Sequence, residues 1–294
     1  MDNKQTTHSG KHAGVLFVVA TPLGNLEDIS ARALRILREA DVVAAEDTRV
    51  SRKLLAHFDI HTPLVSYHAH TTDARENALV ERLLRGENIA LVSDAGTPGI
   101  SDPGADLIAA AIAQNIPVEP VPGPSAVIAA LVASGLPTGR FVFEGFLPRT
   151  RADYRARLDA LGREERTVIL YEAPMRLTQT LDDLIALAGP NRRACVAREI
   201  TKKFEEFVRG TLAEVRTHFE ETAPRGECVV VLEGIAPGDF AAPETETVDV
   251  DALLREAIAR GLSSKDAARE VARTTGLARR DLYARAIALS DAPE

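Results

Sequence analysis

The sequence predicts an α/β protein with two α/β domains and a small helical module towards its C-terminal end. From Val15 onward, short β-branched runs alternate with helical periodicities. A second such series starts with Phe141, and a Pro/Ala/Glu-rich stretch at about 236–248 precedes a third segment that consists of helices. The length of 294 residues also exceeds the roughly 100–200 residues of a typical domain.

The first domain is predicted to contain five strands that alternate with helices. The strands are Leu16–Ala20, Val42–Ala45, Leu64–Tyr67, Ile89–Ser93 and Val118–Val121. The helices cover about residues 28–39, 50–57, 73–85 and 103–114, with Pro103 in the first turn of the last one. Such alternation is typical of a mostly parallel sheet that helices cover on both faces.

The second domain is predicted to have a mixed sheet. Its strands are Phe141–Phe146, Thr167–Tyr171, Ala194–Ile200 and Cys228–Leu232, and the charged stretch TKKFEEFVRGT between the last two has the pattern of a hairpin. We place the joint between the domains near Pro122–Ala126. The predicted division is a disordered tail at 1–13, α/β domains at 14–123 and 124–236, and a helical module at 249–290.

The helical module is locally basic, although the whole chain has a formal net charge of −8. Gly261 and Gly276 divide it into three short helices, and Ser263 with Asp266 forms a capping-box pattern at the second start. The spacing resembles a helix-turn-helix, which would bind nucleic acid through its local charge, because the protein as a whole is too acidic for generic binding. A helical bundle that packs on its neighbour or mediates dimerisation is the alternative.

The two cysteines and the N-terminal region indicate a cytoplasmic protein. Cys195 and Cys228 each lie in an apolar run, which suits buried, reduced thiols. The polar start of the chain is followed by VLFVVA, which is too short for a signal-peptide core or a membrane span.

Five unusual loops follow the predicted strands of the first domain, at the edge where parallel sheets bind ligands. They are ATPLGNLED, AEDTR, SYHAH, SDAGTPGISDPG and PVPGPSA. In the fourth loop, Gly96, Gly99 and Gly104 lack the Cβ that would keep a ligand from the main chain. A tight turn explains any one glycine-rich loop, but five loops converging on one edge favour a ligand site.

Several common sites are not supported. The chain has no GxGxxG, GxxxxGK[ST] or GxSxG motif, so neither a usual dinucleotide site, a P-loop nor a nucleophile elbow is predicted. His57, His61, His68 and His70 lack a metal-ligand pattern, and the two cysteines are too few for a disulfide framework, so no metal site is predicted.

The order of seven motifs resembles the ribosomal RNA small subunit methyltransferase I family of the tetrapyrrole-methylase superfamily. These motifs are VVATPLGNLEDIS, AEDTR, SYHAH, LVSDAGTPGISDPG, PVPGPSAVIAAL, LYEAPMRL and RGECVVVLEG. The resemblance implies that S-adenosylmethionine (SAM) binds in a cleft between the two domains. It further implies methylation of the ribose 2′-hydroxyl of a cytidine in the decoding region of 16S rRNA, within the small ribosomal subunit, by a homodimer.

The resemblance also assigns the cofactor-binding residues. Gly96, Thr97 and Pro98 occupy the place of a Gly-Asp-Pro turn in small-molecule methylases, so any role of that missing aspartate falls to Asp94 or Asp102, or is absent. The implied contacts are Pro22, Asp94, Gly96, Thr97, Ile100, Ser101, Asp102, Ser125, Ala126, Glu172 and Ala197.

Methyl transfer from a sulfonium to a hydroxyl is an in-line displacement, which needs aligned reactants and a proton acceptor. Glu46, Asp47 and His68 are the catalytic candidates, and Arg49 could hold a phosphate or ribose oxygen. A helix cap at Asp47 or Thr48 and a loop position at His68 are the structural alternatives. The RNA-binding candidates are Arg176, Lys202, Arg279 and Arg280, with surface roles as their alternatives.

Two other functions compete with rRNA methylation. The same fold and cofactor could serve a small-molecule acceptor such as a tetrapyrrole, or a protein acceptor. A non-enzymatic nucleic-acid-binding regulator would use the helical module alone and would leave the α/β domains unexplained. The basic module favours RNA as the acceptor.

Overall fold

The computed structural model describes residues 13–69, 71–235, 250–275 and 279–290. The chain forms two compact units, one that ends at Ile235 and one that begins at Ala236. The predicted linker, His70, Gly276 and the predicted tail apart from Ala13 lie outside the described residues. The boundary between the two α/β domains stays a prediction. Within the described ranges, no helix combines the length and apolar character needed to cross a bilayer.

The first sheet is parallel throughout, as predicted, with the strand order β3-β2-β4-β1-β5. The inner strands β2 and β4 are buried at every position, because helices cover both faces. The strands are β1 Leu16–Val19, β2 Val42–Ala45, β3 Leu64–Ser66, β4 Ile89–Val92 and β5 Val118–Val121.

Helix starts in the first half differ from the sequence-based expectation because of local capping. Ser30 accepts a hydrogen bond from the Ala33 N–H, so the first α-helix starts after Ser30, and residues 26–28 form a separate 3-10 turn. Gly104 has φ of 141°, which no helix allows, so Pro103 lies before the fourth helix and not in its first turn. The helices are α1 Ala31–Glu39, α2 Thr48–His57, α3 Asp73–Leu84 and α4 Ala105–Ala113.

The second sheet is mixed, as predicted, with the order β6-β7-β10-β8-β9. Only β6 and β7 are parallel, and the predicted hairpin is the antiparallel pair β8–β9. Strand β8 ends before the predicted Ile200, because Glu199 turns the chain with a φ of 51°. The strands are β6 Phe141–Phe146, β7 Thr167–Glu172, β8 Arg193–Arg198, β9 Glu206–Thr211 and β10 Cys228–Leu232.

Helix α5 joins the two sheets. It follows the Pro-Gly-Pro stretch after β5, and Val127 and Leu131 pack into the core of the second sheet together with Cys195. Leu23, from the loop after β1, packs against the same core, so the edge of the first sheet at which its strands end faces the second sheet. The remaining helices of this unit are α5 Ala126–Ser134, α6 Arg151–Gly162, α7 Pro174–Ala188 and α8 Leu212–Glu221.

The second compact unit is a three-helix module in which Leu254, Val271 and Leu282 are central core residues. Its helices are α9 Val250–Ala259, α10 Ser264–Thr275 and α11 Arg279–Ser290. The Ser263 hydroxyl accepts a hydrogen bond from the Asp266 N–H at 3.2 Å and donates to the Asp266 carboxylate at 2.7 Å, so Ser263 caps α10 as predicted.

Candidate active site

A cavity of about 270 Å³ lies between the carboxyl ends of the first sheet and the face of the second sheet. This cavity, called the donor cavity below, collects residues from four first-half loops, from β6, β7 and β10, and from the loop after β8. Its lining residues are Leu23, Glu46, Asp94, Ala95, Gly96, Thr97, Ile100, Ser101, Asp102, Ser125, Ala126, Phe146, Tyr171, Glu199, Ile200, Lys202, Glu227, Cys228 and Val229. Eight of the eleven residues predicted to bind the cofactor are among them.

The loop between β4 and α4 owes its shape to residues with positive φ. The values are 81° at Gly96, 82° at Gly99, 62° at Ser101 and 141° at Gly104. Ser101 adopts this left-handed conformation despite its side chain, and such strain persists where the surroundings impose it. An added Cβ at Gly145 of β6 would lie 3.3 Å from the Ser101 hydroxyl, so Ser101 is close to the second sheet.

The main chain of Gly96 is already engaged within the protein. Its C=O accepts a hydrogen bond from the Thr21 N–H at 2.8 Å, and its N–H donates to the Thr21 C=O at 3.0 Å. The Thr97 hydroxyl donates to the Pro124 C=O at 3.1 Å. The loop therefore offers a fixed surface at Gly96, and not the open peptide groups that its glycine pattern predicted there.

Three carboxylates of the first half are held beside one another by reciprocal hydrogen bonds. The Asp47 N–H donates to Asp94 Oδ1 at 3.0 Å, and the Asp94 N–H donates to Glu46 Oε2 at 3.4 Å. Glu46 and Asp94 line the donor cavity, whereas Asp47 does not. The loops after β2 and β4 thus place two carboxylates in the cavity and use the third elsewhere.

Asp47 caps helix α2 and binds Arg49. It accepts a hydrogen bond from the Arg49 N–H at 2.8 Å, and its Oδ2 lies 2.6 Å from the guanidinium NH2. These hydrogen bonds lower the pKa of Asp47 to about 2. The capping alternative is therefore confirmed for Asp47, and Arg49 extends into solvent outside the donor cavity.

The donor cavity carries negative charge that is only partly compensated. Burial raises the pKa of Asp102 to about 6, the neighbouring Glu46 adds to the rise, and a hydrogen bond with Ser93 opposes it. Burial also raises the pKa of Glu46 and of Asp94 above their ordinary values. Carboxylates that resist ionisation in this way favour a cationic ligand beside them.

Comparisons with known proteins place this chain in a family. Residues 15–216 match the family model described as Tetrapyrrole (Corrin/Porphyrin) Methylases, and residues 244–290 match the RsmI C-terminal HTH domain. Ribosomal RNA small subunit methyltransferase I of Synechocystis sp. is 50% identical over 270 residues, which cover 92% of this chain and 96% of that protein. The Bacillus subtilis protein of the same name is 41% identical over 286 residues, with 96% and 98% coverage.

The chain belongs to the ribosomal RNA small subunit methyltransferase I family. It is accordingly a SAM-dependent methyltransferase, and the resemblance seen in the sequence is confirmed. Solved structures agree on the fold: a cobalt precorrin-4 methyltransferase has a TM-score of 0.59 at 20% identity, covering 74% of this chain and 94% of its own. For a diphthine synthase the TM-score is 0.57 at 18% identity, covering 75% and 90%.

The donor cavity of this methyltransferase family member fits the chemistry of SAM. Leu23, Ile100 and Ile200 provide apolar walls of the kind that an adenine ring requires. The carboxyl groups of Glu46 and Asp102 in the cavity lining suit a ligand that carries a sulfonium and an ammonium group. The donor set therefore suits a ligand that combines an aromatic base with a net positive charge.

The sequence analysis expected the second domain to contribute to the site but missed the residues with which it lines the cavity. Tyr171 meets Phe146 at a ring distance of 5.4 Å, and both line the cavity. Lys202, predicted to contact RNA, lies in the same wall with its Nζ 2.9 Å from Glu199 Oε1. Its stem lies against Gly24, where an added Cβ would be 2.3 Å from Lys202 Cγ, so Lys202 joins the two halves.

Four other predicted residues lie outside the donor cavity. Side chains alternate along β7, so Glu172 faces away from the cavity that Tyr171 lines, and it accepts a hydrogen bond from the Thr180 hydroxyl at 2.6 Å. The Arg176 Nε lies 3.5 Å from Glu172 Oε1, and its guanidinium lies over the ring of Tyr154. Both contacts hold Arg176 in the first turn of α7. Ala197 is buried in the core that α5 covers, and Pro22 is buried next to the Thr21–Gly96 bridge.

His68, the remaining catalytic candidate, lines a different cavity from the one that SAM fits. The His68 N–H donates a hydrogen bond to the Thr71 hydroxyl at 2.8 Å, and the His68 C=O accepts one from the Thr71 N–H at 2.8 Å. These bonds fix the turn within the loop after β3.

Proposed function

We propose that this methyltransferase transfers the methyl group of SAM to the ribose 2′-hydroxyl of a cytidine in the decoding region of 16S rRNA. We further propose that it acts in the cytoplasm, as a homodimer, on the small ribosomal subunit. The observation that carries the proposal is the carboxylate-lined donor cavity in a chain of this family. Ile128 and Val132, exposed one turn apart on α5, support a homodimer because they form an apolar surface.

The residues of the donor cavity would bind and orient the reactants. When bound, SAM supplies an activated methyl group on a positively charged sulfur. Glu46, Asp94 and Asp102 would hold that positive charge, and the rigid loop from Ser93 to Gly104 would fix the direction in which the methyl group points. Because the sulfur loses its charge in the reaction, the attraction between the sulfonium and these carboxylates contributes to donor binding, and alignment of the reactants contributes to the rate.

A methyl-transfer assay tests the proposed acceptor. The full-length protein is incubated with methyl-labelled SAM and, in parallel, with small ribosomal subunits, naked 16S rRNA or a tetrapyrrole precursor. We expect label in the rRNA alone, and mapping of the resistant phosphodiester bond after alkaline hydrolysis should locate one 2′-O-methylated cytidine. Label in the tetrapyrrole alone would refute the proposed function.

Arg279 and Arg280 are expected to contribute to RNA binding. Both side chains are exposed at the start of α11. The Arg280 Nε lies 3.8 Å from Oδ1 of its neighbour Asp281, and this distance is too long for a strong ion pair. Replacing both by glutamate should weaken rRNA binding about tenfold, because phosphate contacts are lost. The dependence of binding on salt concentration should become less steep for the same reason. SAM affinity, measured by calorimetry, should not change.

The matched control is the same double charge reversal at Arg151 and Arg155, which are exposed on α6. It changes the net charge by the same amount at another place. Equal loss of RNA binding in both variants would show that only the overall charge matters.

A further inference from the structure

A second cavity of about 350 Å³ lies next to the donor cavity. It is formed by the loop after β3 and by the start of α4, and it is lined by Glu46, Tyr67, His68, Ala69, Thr71, Glu76, Ser101, Asp102, Pro103, Gly104, Ala105 and Asp106. Glu46, Ser101 and Asp102 line both cavities. These three residues are therefore the common wall between them.

Asp102 is one of the two carboxylates in this wall, and its backbone is constrained on both sides. It follows Ser101, which is held in the left-handed region, and it precedes Pro103, whose ring fixes the backbone angle φ. The Ser93 side chain acts on the Asp102 carboxylate and lowers its pKa. A group on this wall can contact a molecule in either cavity.

The second cavity suits a neutral ligand that carries hydroxyl or amino groups. Its described lining contains no lysine or arginine, whereas Glu76, Asp102 and Asp106 offer carboxylate oxygens. Such acceptors bind ribose hydroxyls and exocyclic amino groups, and they repel phosphate. Its volume lies within the roughly 300–1,000 Å³ of ligand pockets, and it opens to solvent.

We propose that this second cavity receives the acceptor nucleoside of a single-stranded RNA segment, and that Asp102 is the catalytic base. The inference rests on the function proposed above and names the subsite at which that reaction takes place. The phosphates on either side of the nucleoside remain outside, where they do not meet the carboxylates. RNA bases that are unstacked from their neighbours are commonly bound in this way.

In the reaction, an oxygen lone pair of the 2′-hydroxyl forms a bond to the methyl carbon. The bond between that carbon and sulfur breaks, and its electron pair stays on sulfur, which becomes a neutral thioether. The hydroxyl proton moves to the Asp102 carboxylate and later to solvent. The location of Asp102 on the common wall allows it to face the hydroxyl while the methyl group approaches from the donor cavity.

The pH dependence of Asp102 follows from the groups around it. The ionisable residues that face it or share its cavities are Glu46, His68, Glu76, Asp94, Asp106, Tyr171, Glu199, Lys202 and Glu227. Burial opposes the ionisation of Asp102 most, Glu46, Glu227 and Asp94 add to this effect, and the pKa is raised to about 6. The methylation rate should rise as pH increases through that value, because only the carboxylate form accepts the proton.

A bulky residue at Ala105 tests the acceptor subsite. Ala105 is exposed at the first position of α4 and lines the second cavity but not the donor cavity. Ala109 is exposed one turn later and lines neither cavity. We expect Ala105→Phe to lower kcat/KM for rRNA at least 30-fold and to leave the Kd for SAM within twofold. Ala109→Phe should match the wild type in both measurements, and thermal melting should show that both variants fold.

If the wild type methylates rRNA and Ala105→Phe has the same kcat/KM as the wild type, the acceptor subsite is overturned. The proposed function then remains intact. A wild-type protein that labels no RNA would instead overturn the proposed function. The two failures are therefore distinguishable in one set of assays.

The role of Asp102 as base is tested by the pH profile of single-turnover methylation. Asp102→Asn should lower the rate by a factor of about 10² to 10⁴ and remove the rise with pH near 6. His68→Gln should keep that rise, which separates the carboxylate from the nearby imidazole. An unchanged pH profile in Asp102→Asn, or a profile that loses its rise only in His68→Gln, would overturn the assignment.

Discussion

Gly104→Ala is expected to lower the free energy of unfolding by about 2–3 kcal/mol and to abolish most methyl transfer. Gly104 has φ of 141°, a conformation that residues with a Cβ avoid. An added Cβ would also lie 3.0 Å from Leu91 Cδ2 and 3.3 Å from the Gly99 nitrogen. The loop must move to relieve both problems, and Asp102 would move with it.

Two other glycines serve as controls for this change. Gly135 has φ of 78° but no atom within 4 Å of an added Cβ, so Gly135→Ala should show the conformational cost alone, about 1 kcal/mol. Gly139 has neither a positive φ nor a close neighbour, so Gly139→Ala should be near neutral. Urea unfolding of the three variants measures the difference. Equal stability of Gly104→Ala and Gly139→Ala would contradict the strained loop.

Asp102→Asn is expected to stabilise the SAM-free protein at pH 8 although it impairs catalysis. The pKa of Asp102 is about 6 in the folded protein, above its ordinary value of 3.8, so the folded state binds the proton more tightly than the unfolded state. The ionised carboxylate therefore costs stability above pH 6, and this cost is absent below pH 4. After allowance for solvent screening of a partly exposed group, we expect a gain of about 1 kcal/mol.

Denaturant unfolding between pH 4 and pH 8 measures this gain. Asp159→Asn is the matched control, because Asp159 is exposed on α6 and outside both cavities. The control should show no gain at any pH. A gain for Asp102→Asn that grows towards low pH would have the wrong sign and would refute the assignment of the raised pKa.

The sequence predicted the first half of the site because its physical signal is local. Buried strands that alternate with helices place every following loop at the same sheet edge. Glu46, Asp94 and Asp102 could therefore be assigned to one region before their distances were known. The φ of 62° at Ser101 gave no such signal, since positive φ is suggested by glycine and not by serine.

The second half of the site could not be predicted in the same way. Its sheet is mostly antiparallel, and the order β7-β10-β8 brings together Tyr171, Glu199 and Val229 from distant parts of the chain. Family motifs suggested Glu172, but side-chain alternation turns it away from the cavity. The acidic residues that follow Lys202 in the sequence suggested a surface position for it. Its contact with Gly24 in the first half depends on the fold, so nothing in the sequence indicated that contact.

A crystal structure of the protein with S-adenosylhomocysteine tests the central claim most directly. We expect the sulfur to lie in the donor cavity, between the loop from Ser93 to Gly104 and the face of β7 and β10, and within reach of Asp102. A ligand bound at another place, or a donor cavity filled by the protein's own side chains, would contradict this account.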